Sequence, residues 1–189
     1  MRRPAVLLLA ALALLPACGN DRTDPPDVTT PASPSGTAPA SYPKAGISFQ
    51  SPRGWNLDEG DAPLIATVQT GQATVAIWRY PRSEELPKSR LELQAARDAL
   101  VDAAKQRDPT FEVIKSAATK IAGKPAVQIR AKETVDGRRR TVRSTHIYAD
   151  GAEVIVDAFA EPDVFRRVDA EVFRPLLLSL KLTAAGGEG

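Results

Sequence analysis

The chain has very little of what most catalytic centres are built from. It contains one cysteine and one histidine in 189 residues, and aromatic residues make up 5% of it. A zinc-type site needs several clustered ligands, so no metal site is expected. The sequence also lacks a glycine-rich phosphate loop and a dinucleotide-binding fingerprint. We therefore expect no metal and no cofactor, and the chain is not predicted to be an enzyme.

The chain also has almost no net charge. The chain has 25 basic and 23 acidic residues, and without Arg2 and Arg3 the two kinds are equal in number. A neutral chain lacks the basic footprint that attracts nucleic acid, so no nucleic-acid partner is expected. Beyond the N-terminal segment, no apolar run approaches the about 20 residues of a membrane-spanning helix.

The single cysteine follows a signal-like N-terminus. Two arginines precede an apolar run over 4–15, and small Ala17 comes directly before Cys18. This order of charged, apolar and small residues is typical of a secretory signal. Leu15-Pro16-Ala17-Cys18 resembles the bacterial lipobox, although Pro16 stands where a smaller residue is usual. The resemblance implies cleavage after residue 17 and acylation of Cys18; an ordinary secretory signal that ends at a cysteine is the alternative.

Acylation of Cys18 would anchor the protein to the extracytoplasmic face of the cell membrane. Two or three acyl chains, palmitate among them, hold a protein there stably. The segment that follows is rich in proline and contains almost nothing to bury, so it is predicted to be disordered. The predicted organisation is a signal peptide over 1–17, a lipidated tether over 18–41, a folded domain over 42–182 and a disordered tail over 183–189.

Strand and turn patterns predict an antiparallel sheet. Runs of β-branched residues over 64–69 and 74–80 predict a hairpin. Asp136-Gly137 and Asp150-Gly151 predict a three-stranded meander over 126–160, because Asp-Gly favours the tight turns of hairpins. The meander strands carry apolar residues on both faces, which an antiparallel sheet with one wet face would not do.

Two helical patterns supply the layers that would cover this sheet. Ser89-Arg90-Leu91-Glu92 fits a capping box at the start of an amphipathic helix, which Asp108-Pro109 ends. A second helical pattern covers 163–182, and Pro175 is predicted to break or kink it. We therefore predict an α+β fold, an α/β/α sandwich with a central antiparallel sheet.

One polar cluster invites comparison with a hydrolase. With a two-residue turn at 150–151, Ser144, His146 and Asp157 fall on the same face of the sheet. Ser144 and His146 are two residues apart on a rigid strand, about 6.5 Å at the backbone. No nucleophile elbow or oxyanion loop accompanies them. A polar cluster without a catalytic role is the favoured interpretation, and a hydrolase is the third and least favoured function.

Basic side chains form the candidate binding site. Three of them follow one another at the tip of the predicted 126–148 hairpin, and three project from one face nearby. Such a patch could contact phospholipid headgroups, anionic polymers or an acidic partner. A solvated hairpin tip is the alternative, since Glu133 is expected to face Arg140 and take up part of the charge. The candidate residues are Arg130, Lys132, Arg138, Arg139, Arg140 and Arg143.

Large aromatic residues give a second candidate site. They could line an apolar cleft between sheet and helix, although such residues more often form the core. The four candidates are Trp55, Trp78, Tyr80 and Tyr148.

Short signatures connect the chain to a known family. Gly46-Ile47-Ser48-Phe49 is followed by Pro52-x-x-Trp55, and a late run Tyr148…Asp157…Phe159 leads to Phe173…Leu177-x-Ser179-Leu180. This order resembles the PsbP-like fold, and more closely the LpqN-type lipoproteins of the actinobacterial cell envelope. The resemblance covers nearly all of 42–182. It implies an α/β/α sandwich and a non-enzymatic adaptor role, with no catalytic residues to carry over.

The expected function is therefore a membrane-anchored binding or adaptor domain for a cell-envelope assembly or transporter, such as a lipid or polymer exporter. The alternative is a carrier that binds an amphipathic envelope lipid in a cleft. A continuous apolar pocket, on the order of several hundred Å³, would favour the carrier, and a filled interior would favour the adaptor.

Overall fold

The computed structural model describes residues 29–135 and 137–186. Its strands in this part are β1 (Thr37–Tyr42), β2 (Ile47–Pro52), β3 (Asn56–Glu59), β4 (Leu64–Thr70), β5 (Ala73–Pro81), β6 (Glu112–Ile121), β7 (Lys124–Val135), β8 (Arg138–Ala149), β9 (Ala152–Ala160) and β10 (Lys181–Leu182). The α-helices are α1 (Arg90–Arg107), α2 (Phe165–Val168) and α3 (Arg174–Ser179). A short 3-10 turn spans Pro43–Ala45, and a π turn spans Asp169–Phe173.

Seven antiparallel strands form the large sheet, in the order β3-β4-β5-β9-β8-β7-β6. Strands β1, β2 and β10 form a separate small sheet. The register confirms both predicted hairpins, because Val135 pairs with Arg138 and Ala149 pairs with Ala152. Asp150 has a φ of 50° and Gly151 a φ of 68°, the left-handed backbone that two-residue hairpin turns require.

Apolar side chains cover both faces of the large sheet, as the meander pattern predicted. Helix α1 packs on β6 and β7 over one cluster, which includes Leu93, Val127 and Val142. The C-terminal helical segment and the small sheet cover the other face over a larger cluster, in which Phe165 and Phe173 are almost fully buried. The predicted α+β sandwich with a central antiparallel sheet is confirmed.

The predicted capping box starts α1. The Ser89 hydroxyl accepts from the Glu92 N–H at 3.2 Å, and the Glu92 carboxylate accepts from the Ser89 N–H at 2.8 Å. These two bonds satisfy N–H groups that a helix start leaves unpaired. At the other end the N–H of Asp108 bonds to the Ala104 carbonyl, so the helix ends where the sequence predicted.

The C-terminal segment is interrupted, as the prediction of a break or kink at Pro175 implied, but its helical part is shorter than the pattern over 163–182. It consists of α2, the π turn and α3, and it ends at Ser179. Pro175 has no N–H to donate to the Glu171 carbonyl, so the helical bonding pattern must change here. The backbone is extended at Leu180, and β10 then pairs with β2. The helix prediction for 180–182 is therefore wrong.

The folded part also begins earlier than predicted. Residues 37–41, expected in the disordered tether, belong to β1, whose backbone pairs with β2. Residues 29–36 contact the domain as well, because the Trp55 indole N–H donates to the Ala32 carbonyl at 2.9 Å and Arg167 donates to the Pro31 carbonyl at 2.8 Å. The signal peptide, Cys18 and the remainder of the tether up to residue 28 lie outside the described residues.

Candidate functional site

An open cavity lies between the two sheets. It is an open groove of about 730 Å³, called the groove below, between the 3-10 turn after β1 and the edge formed by β3, β4 and β5. Its walls are mainly apolar, with Tyr42, Ala45, Pro63, Leu64 and Ile65 among them. This composition suits an apolar ligand better than a polar one.

The wall of the groove on the small-sheet side is held in place by backbone packing. Gly46 follows the 3-10 turn with a φ of 60°, and a Cβ atom here would lie 2.3 Å from the Thr183 carbonyl oxygen. Only glycine permits this approach, which lets the Thr183 N–H donate to the Gly46 carbonyl at 2.9 Å. On the same wall Tyr42 stacks on Phe49 with ring centroids 6.1 Å apart. Burial, and then the charge of Glu59, raise the pKa of Tyr42.

Arg79 gives the groove a buried positive charge. Its side chain lines the groove, yet the residue is only 8% exposed. One guanidinium nitrogen, Nη2, donates to the Asp150 carbonyl at 3.3 Å, and Nη1 is buried without a hydrogen-bond partner. None of the salt bridges found among residues 29–135 and 137–186 involves Arg79. An unpaired buried cation is costly, so a ligand that brings an anionic group would be favoured here.

One feature of the sequence marked this site, although it was not among the predictions. In β5 the side chains of Ala73, Val75, Ile77 and Arg79 alternate with those on the other face, and all four are buried. A charged residue on the buried side of an alternating strand is a departure from the pattern, and such departures often mark functional positions.

The predicted basic residues lie in two groups. At the β7–β8 tip Arg138 is exposed, Arg139 donates to the Thr110 carbonyl, and Arg140 lies 2.9 Å from Glu161. Glu133 is the register partner of Arg140, as expected. Much of the tip charge therefore interacts within the chain.

The remaining three basic residues project from the face that carries the C-terminal helices. Lys132 lies 3.3 Å from Glu112. Arg143 forms two short bonds to Asp169, and the Arg130 guanidinium lies 5.0 Å from the centroid of the Phe165 ring. Arg130 and Arg143 also line a second cavity, of about 320 Å³.

The polar cluster on the other face is more closely connected than predicted. Ser144 Oγ lies 3.0 Å from His146 Nε2, and His146 Nδ1 lies 2.7 Å from Glu153 Oε1. Arg82 in turn contacts the Glu153 carboxylate. The side chains thus bridge the backbone separation that argued against a Ser–His contact. The acid bound to the histidine is Glu153, while Asp157 has no such bond.

The pKa values of the two carboxyl groups in this cluster are shifted in opposite net directions. Burial raises the pKa of Asp157, and the Ser144 hydrogen bond offsets only part of this effect. For Glu153 burial also acts upward, but hydrogen bonds from His146 and Arg82 outweigh it and lower its pKa. The bonds from His146 and Arg82 therefore favour the ionised form of Glu153, whereas burial favours the protonated form of Asp157.

The order serine, histidine and acid is that of a nucleophilic triad, but the surroundings differ from those of a hydrolase. Strand β8 is paired with β7 and β9 on its two sides, so its backbone N–H groups are used by the sheet rather than by an oxyanion. Asp157 is the register partner of Ser144, and its ionised form would repel a negative intermediate. The cavity beside these residues, under α1, is about 180 Å³. The arrangement suits a structural hydrogen-bond network.

The four aromatic candidates do not all line one cleft, although Tyr80 and Tyr148 lie on the same face of the large sheet, because both are register partners of Glu153. Trp55 belongs to the core cluster under the small sheet, and Tyr148 belongs to the cluster under α1. Burial raises the pKa of Tyr148 to about 12, with Glu153 acting in the same direction. Trp78 is half-buried beside a separate surface depression.

No helix in the described part of the chain is long and apolar enough to cross a membrane. The same residues contain no group of three or more histidine, cysteine, aspartate or glutamate side chains that could hold a metal ion.

With the fold and the groove defined, comparison with solved structures shows that the chain shares its fold with PsbP and other proteins. PsbP from the cyanobacterium Synechocystis matches with a TM-score of 0.61 and 13% identity, over 78% of this chain and 93% of its own. The Ran-binding protein Mog1p of Saccharomyces cerevisiae matches with a TM-score of 0.52 and 7% identity, over 78% and 96%.

LpqN of Mycobacterium tuberculosis, a protein involved in cell envelope biogenesis, matches with a TM-score of 0.50 and 15% identity, over 78% of this chain and 90% of its own. No protein-family model matches the sequence, and no curated protein matches it. At such identities the likeness establishes the fold, and function has to be argued from the site.

Proposed function

We propose that this chain is an extracytoplasmic lipoprotein, anchored through Cys18, whose folded domain binds an amphipathic lipid without catalysing a reaction on it. The observation that carries the proposal is one groove that combines apolar walls with the buried, unpaired charge of Arg79. From the sequence alone an adaptor was favoured and a lipid carrier was the alternative. The groove reverses that order.

The groove is of the right size for one acyl chain. Small-molecule sites in proteins enclose about 300–1,000 Å³, and the groove encloses about 730 Å³. Each methylene moved from water to an apolar wall contributes about 0.8 kcal/mol, so eight methylenes contribute roughly 6 kcal/mol before the costs of association. A flexible chain with an apolar tail uses such walls fully, whereas a polar ligand does not.

Arg79 favours an anionic head group on that ligand. The guanidinium has lost most of its contact with water, which costs several kcal/mol where no counter-charge is present. A carboxylate or phosphate can accept two parallel hydrogen bonds from a guanidinium, and these are among the stronger hydrogen bonds in proteins. We therefore propose fatty acids and other anionic single-chain lipids as the ligand class.

Anchoring at Cys18 would keep the groove near its lipid source. Eleven residues lead from Cys18 to Thr29, the first described residue, and an extended chain of this length spans at most about 40 Å. The shared fold with LpqN, a protein involved in cell envelope biogenesis, supports this part of the proposal. A short tether and a lipid site together suit a protein that accepts lipid from the membrane and presents it to an envelope assembly or transporter.

An adaptor without a lipid ligand is the second candidate function. Arg138 is exposed at the projecting β7–β8 tip, where it could contact an acidic partner protein. In-cell crosslinking followed by mass spectrometry separates the two candidates. An adaptor would be recovered with a protein bound at residue 138, and its recovery would not depend on the groove.

The lipid proposal is tested by titrating the chain with dansyl-labelled undecanoic acid and following the fluorescence. Leu64→Glu places a charge in the apolar wall and should weaken binding at least tenfold. The matched control is Leu178→Glu, because Leu178 is 86% exposed on α3 and takes no part in the groove. Equal affinity of the two variants would contradict the proposal.

The head-group assignment has its own test. Arg79→Met keeps an apolar chain of similar length and removes the charge. It should weaken binding of dansyl-undecanoic acid about tenfold and leave binding of the uncharged dansyl-undecanamide within twofold. If both probes lose affinity equally, Arg79 contributes packing rather than head-group recognition.

The anchor is tested by mass spectrometry of the mature protein from cell membranes. Diacylated Cys18 at the new N-terminus is the expected species. Retention of residues 1–17, or an unmodified Cys18, would contradict the lipoprotein assignment. Cys18→Ser should leave the domain folded and release it from the membrane fraction.

A further inference from the structure

A row of three cationic side chains crosses the large sheet at the edge opposite the groove. Lys115 on β6 is the register partner of Arg130 on β7, and Arg130 is the register partner of Arg143 on β8. Like charges that face one another directly across strands destabilise a sheet. Negative charge between or above the three side chains would therefore stabilise this part of the sheet.

Among the residues that the structure describes, an acidic side chain pairs with one member of the row, Arg143. Asp169, on the π turn, accepts from Arg143 Nε at 2.6 Å and from Nη2 at 2.8 Å, while Gln128 Oε1 accepts from Nη1 at 2.7 Å. These three bonds fix Arg143 in one orientation. Arg143 is therefore held in position before any ligand arrives.

The other two members have no carboxylate partner within the described ranges. No salt bridge there includes Lys115 or Arg130. The Arg130 guanidinium is stacked against the Phe165 ring, and its Nε is buried without a hydrogen-bond partner. A buried donor left unpaired is rare in native proteins and calls for an explanation. A ligand oxygen supplies one.

These side chains line a shared cavity rather than a flat surface. The cavity encloses about 320 Å³ and is lined by Lys115, Ala117, Thr119, Gln128, Arg130 and Arg143. Its wall thus offers an ammonium, guanidinium groups, a hydroxyl and an amide, all able to donate to oxygen. The carboxylate of Asp169 faces Arg143, the member that is already neutralised.

We propose that this cavity binds a phosphate group. A tetrahedral oxyanion with two negative charges matches the two unneutralised cations and gives the Arg130 side chain an acceptor. The volume leaves room for an organic substituent, so the ligand is a phosphomonoester, which keeps both negative charges. The phosphate belongs either to a small soluble molecule or to a phospholipid head group.

Titration calorimetry on the full chain tests the proposal with two probes. Inorganic phosphate represents the soluble source, and vesicles of phosphatidylcholine containing phosphatidic acid represent the lipid source. Lys115→Gln removes an exposed cation, and Arg130→Met removes a charge but keeps an aliphatic chain against Phe165. Lys120→Gln is the matched control, because Lys120 is exposed on the same strand and lies outside the cavity.

Each cavity variant should weaken binding about tenfold, and Lys120→Gln should weaken it less than twofold. Loss with both probes supports recognition of the phosphate group itself; loss only with vesicles identifies the phospholipid head group as its source. Equal effects of Lys115→Gln, Arg130→Met and Lys120→Gln on both probes would overturn the proposal. Groove binding of undecanoic acid is measured in parallel, so failure of one site does not affect the other.

Discussion

The ion pair between Arg143 and Asp169 allows a quantitative prediction about what holds the C-terminal segment on the sheet. The pair has two bonds, at 2.6 and 2.8 Å, and the two side chains are 13% and 10% exposed. Asp169→Ala leaves the Arg143 charge in place without its counter-charge. Loss of one partner from a buried pair costs about 3–5 kcal/mol. Because Arg143 also lines an open cavity, water reaches one side of it, and we expect about 3 kcal/mol.

Urea denaturation followed by circular dichroism measures this loss. With a slope of about 2 kcal/mol per molar urea, a loss of 3 kcal/mol lowers the midpoint by about 1.5 M. Glu85→Ala is the control, because Glu85 pairs with Lys88 at 2.9 Å but both side chains are well exposed. Exposed pairs contribute about 0–1 kcal/mol. If Asp169→Ala costs no more than Glu85→Ala, the burial argument is wrong.

A double substitution separates the cost of the unpaired charge from the contribution of the pair. Arg143→Met with Asp169→Leu removes both charges and keeps apolar volume against the sheet. Replacing a buried pair by apolar residues is often neutral or stabilising. The free energy of unfolding of the double variant should therefore lie within about 1 kcal/mol of that of the parent chain. If the double variant is as unstable as Asp169→Ala, the loss in Asp169→Ala does not come from the unpaired charge of Arg143.

Three further predictions concern other parts of the domain. Ser89→Ala removes the capping bond to Glu92 and should cost about 1 kcal/mol in the same urea assay; no measurable loss would contradict the role of the cap. Burial raises the pKa of Asp157, so the folded chain holds this proton more tightly than the unfolded chain and stability falls as pH rises above the ordinary aspartate range. Asp157→Asn should therefore have a higher free energy of unfolding than the parent chain near pH 7, and the two should be equal near pH 3. A parent chain that is more stable than Asp157→Asn near pH 7 would contradict the raised pKa of Asp157. Ser144→Ala should leave hydrolysis of p-nitrophenyl butyrate unchanged, whereas loss of turnover would make Ser144 a nucleophile.

Features set by neighbouring residues were predictable from the sequence. The two hairpins predicted from Asp-Gly pairs and the capping box at Ser89 depend on a few adjacent residues, and the structure confirms the strand pairing and the cap. The register that follows from the turns also placed Ser144 opposite Asp157 correctly. Local chemistry determines these elements, so a single sequence suffices.

Features set by distant pairing were not predictable. Strand β1 has the sequence Thr-Ala-Pro-Ala-Ser-Tyr, and its partner is chosen by backbone bonding to β2 rather than by a strand-like pattern. Glu153 was missed as the partner of His146 because the two are diagonal neighbours, which only long side chains can connect. The groove lies between the two sheets, so it could not be predicted without the small sheet.

The central claim is that the groove holds a lipid tail, and photo-crosslinking tests it most directly. A fatty acid with a diazirine near the end of its tail is irradiated with the full chain, and the labelled residues are identified by mass spectrometry. The account predicts labels at Tyr42, Leu64 and Ile65, all of which line the groove, and competition by unlabelled undecanoic acid. Labels scattered over the surface, or confined to residues outside the groove, would contradict it.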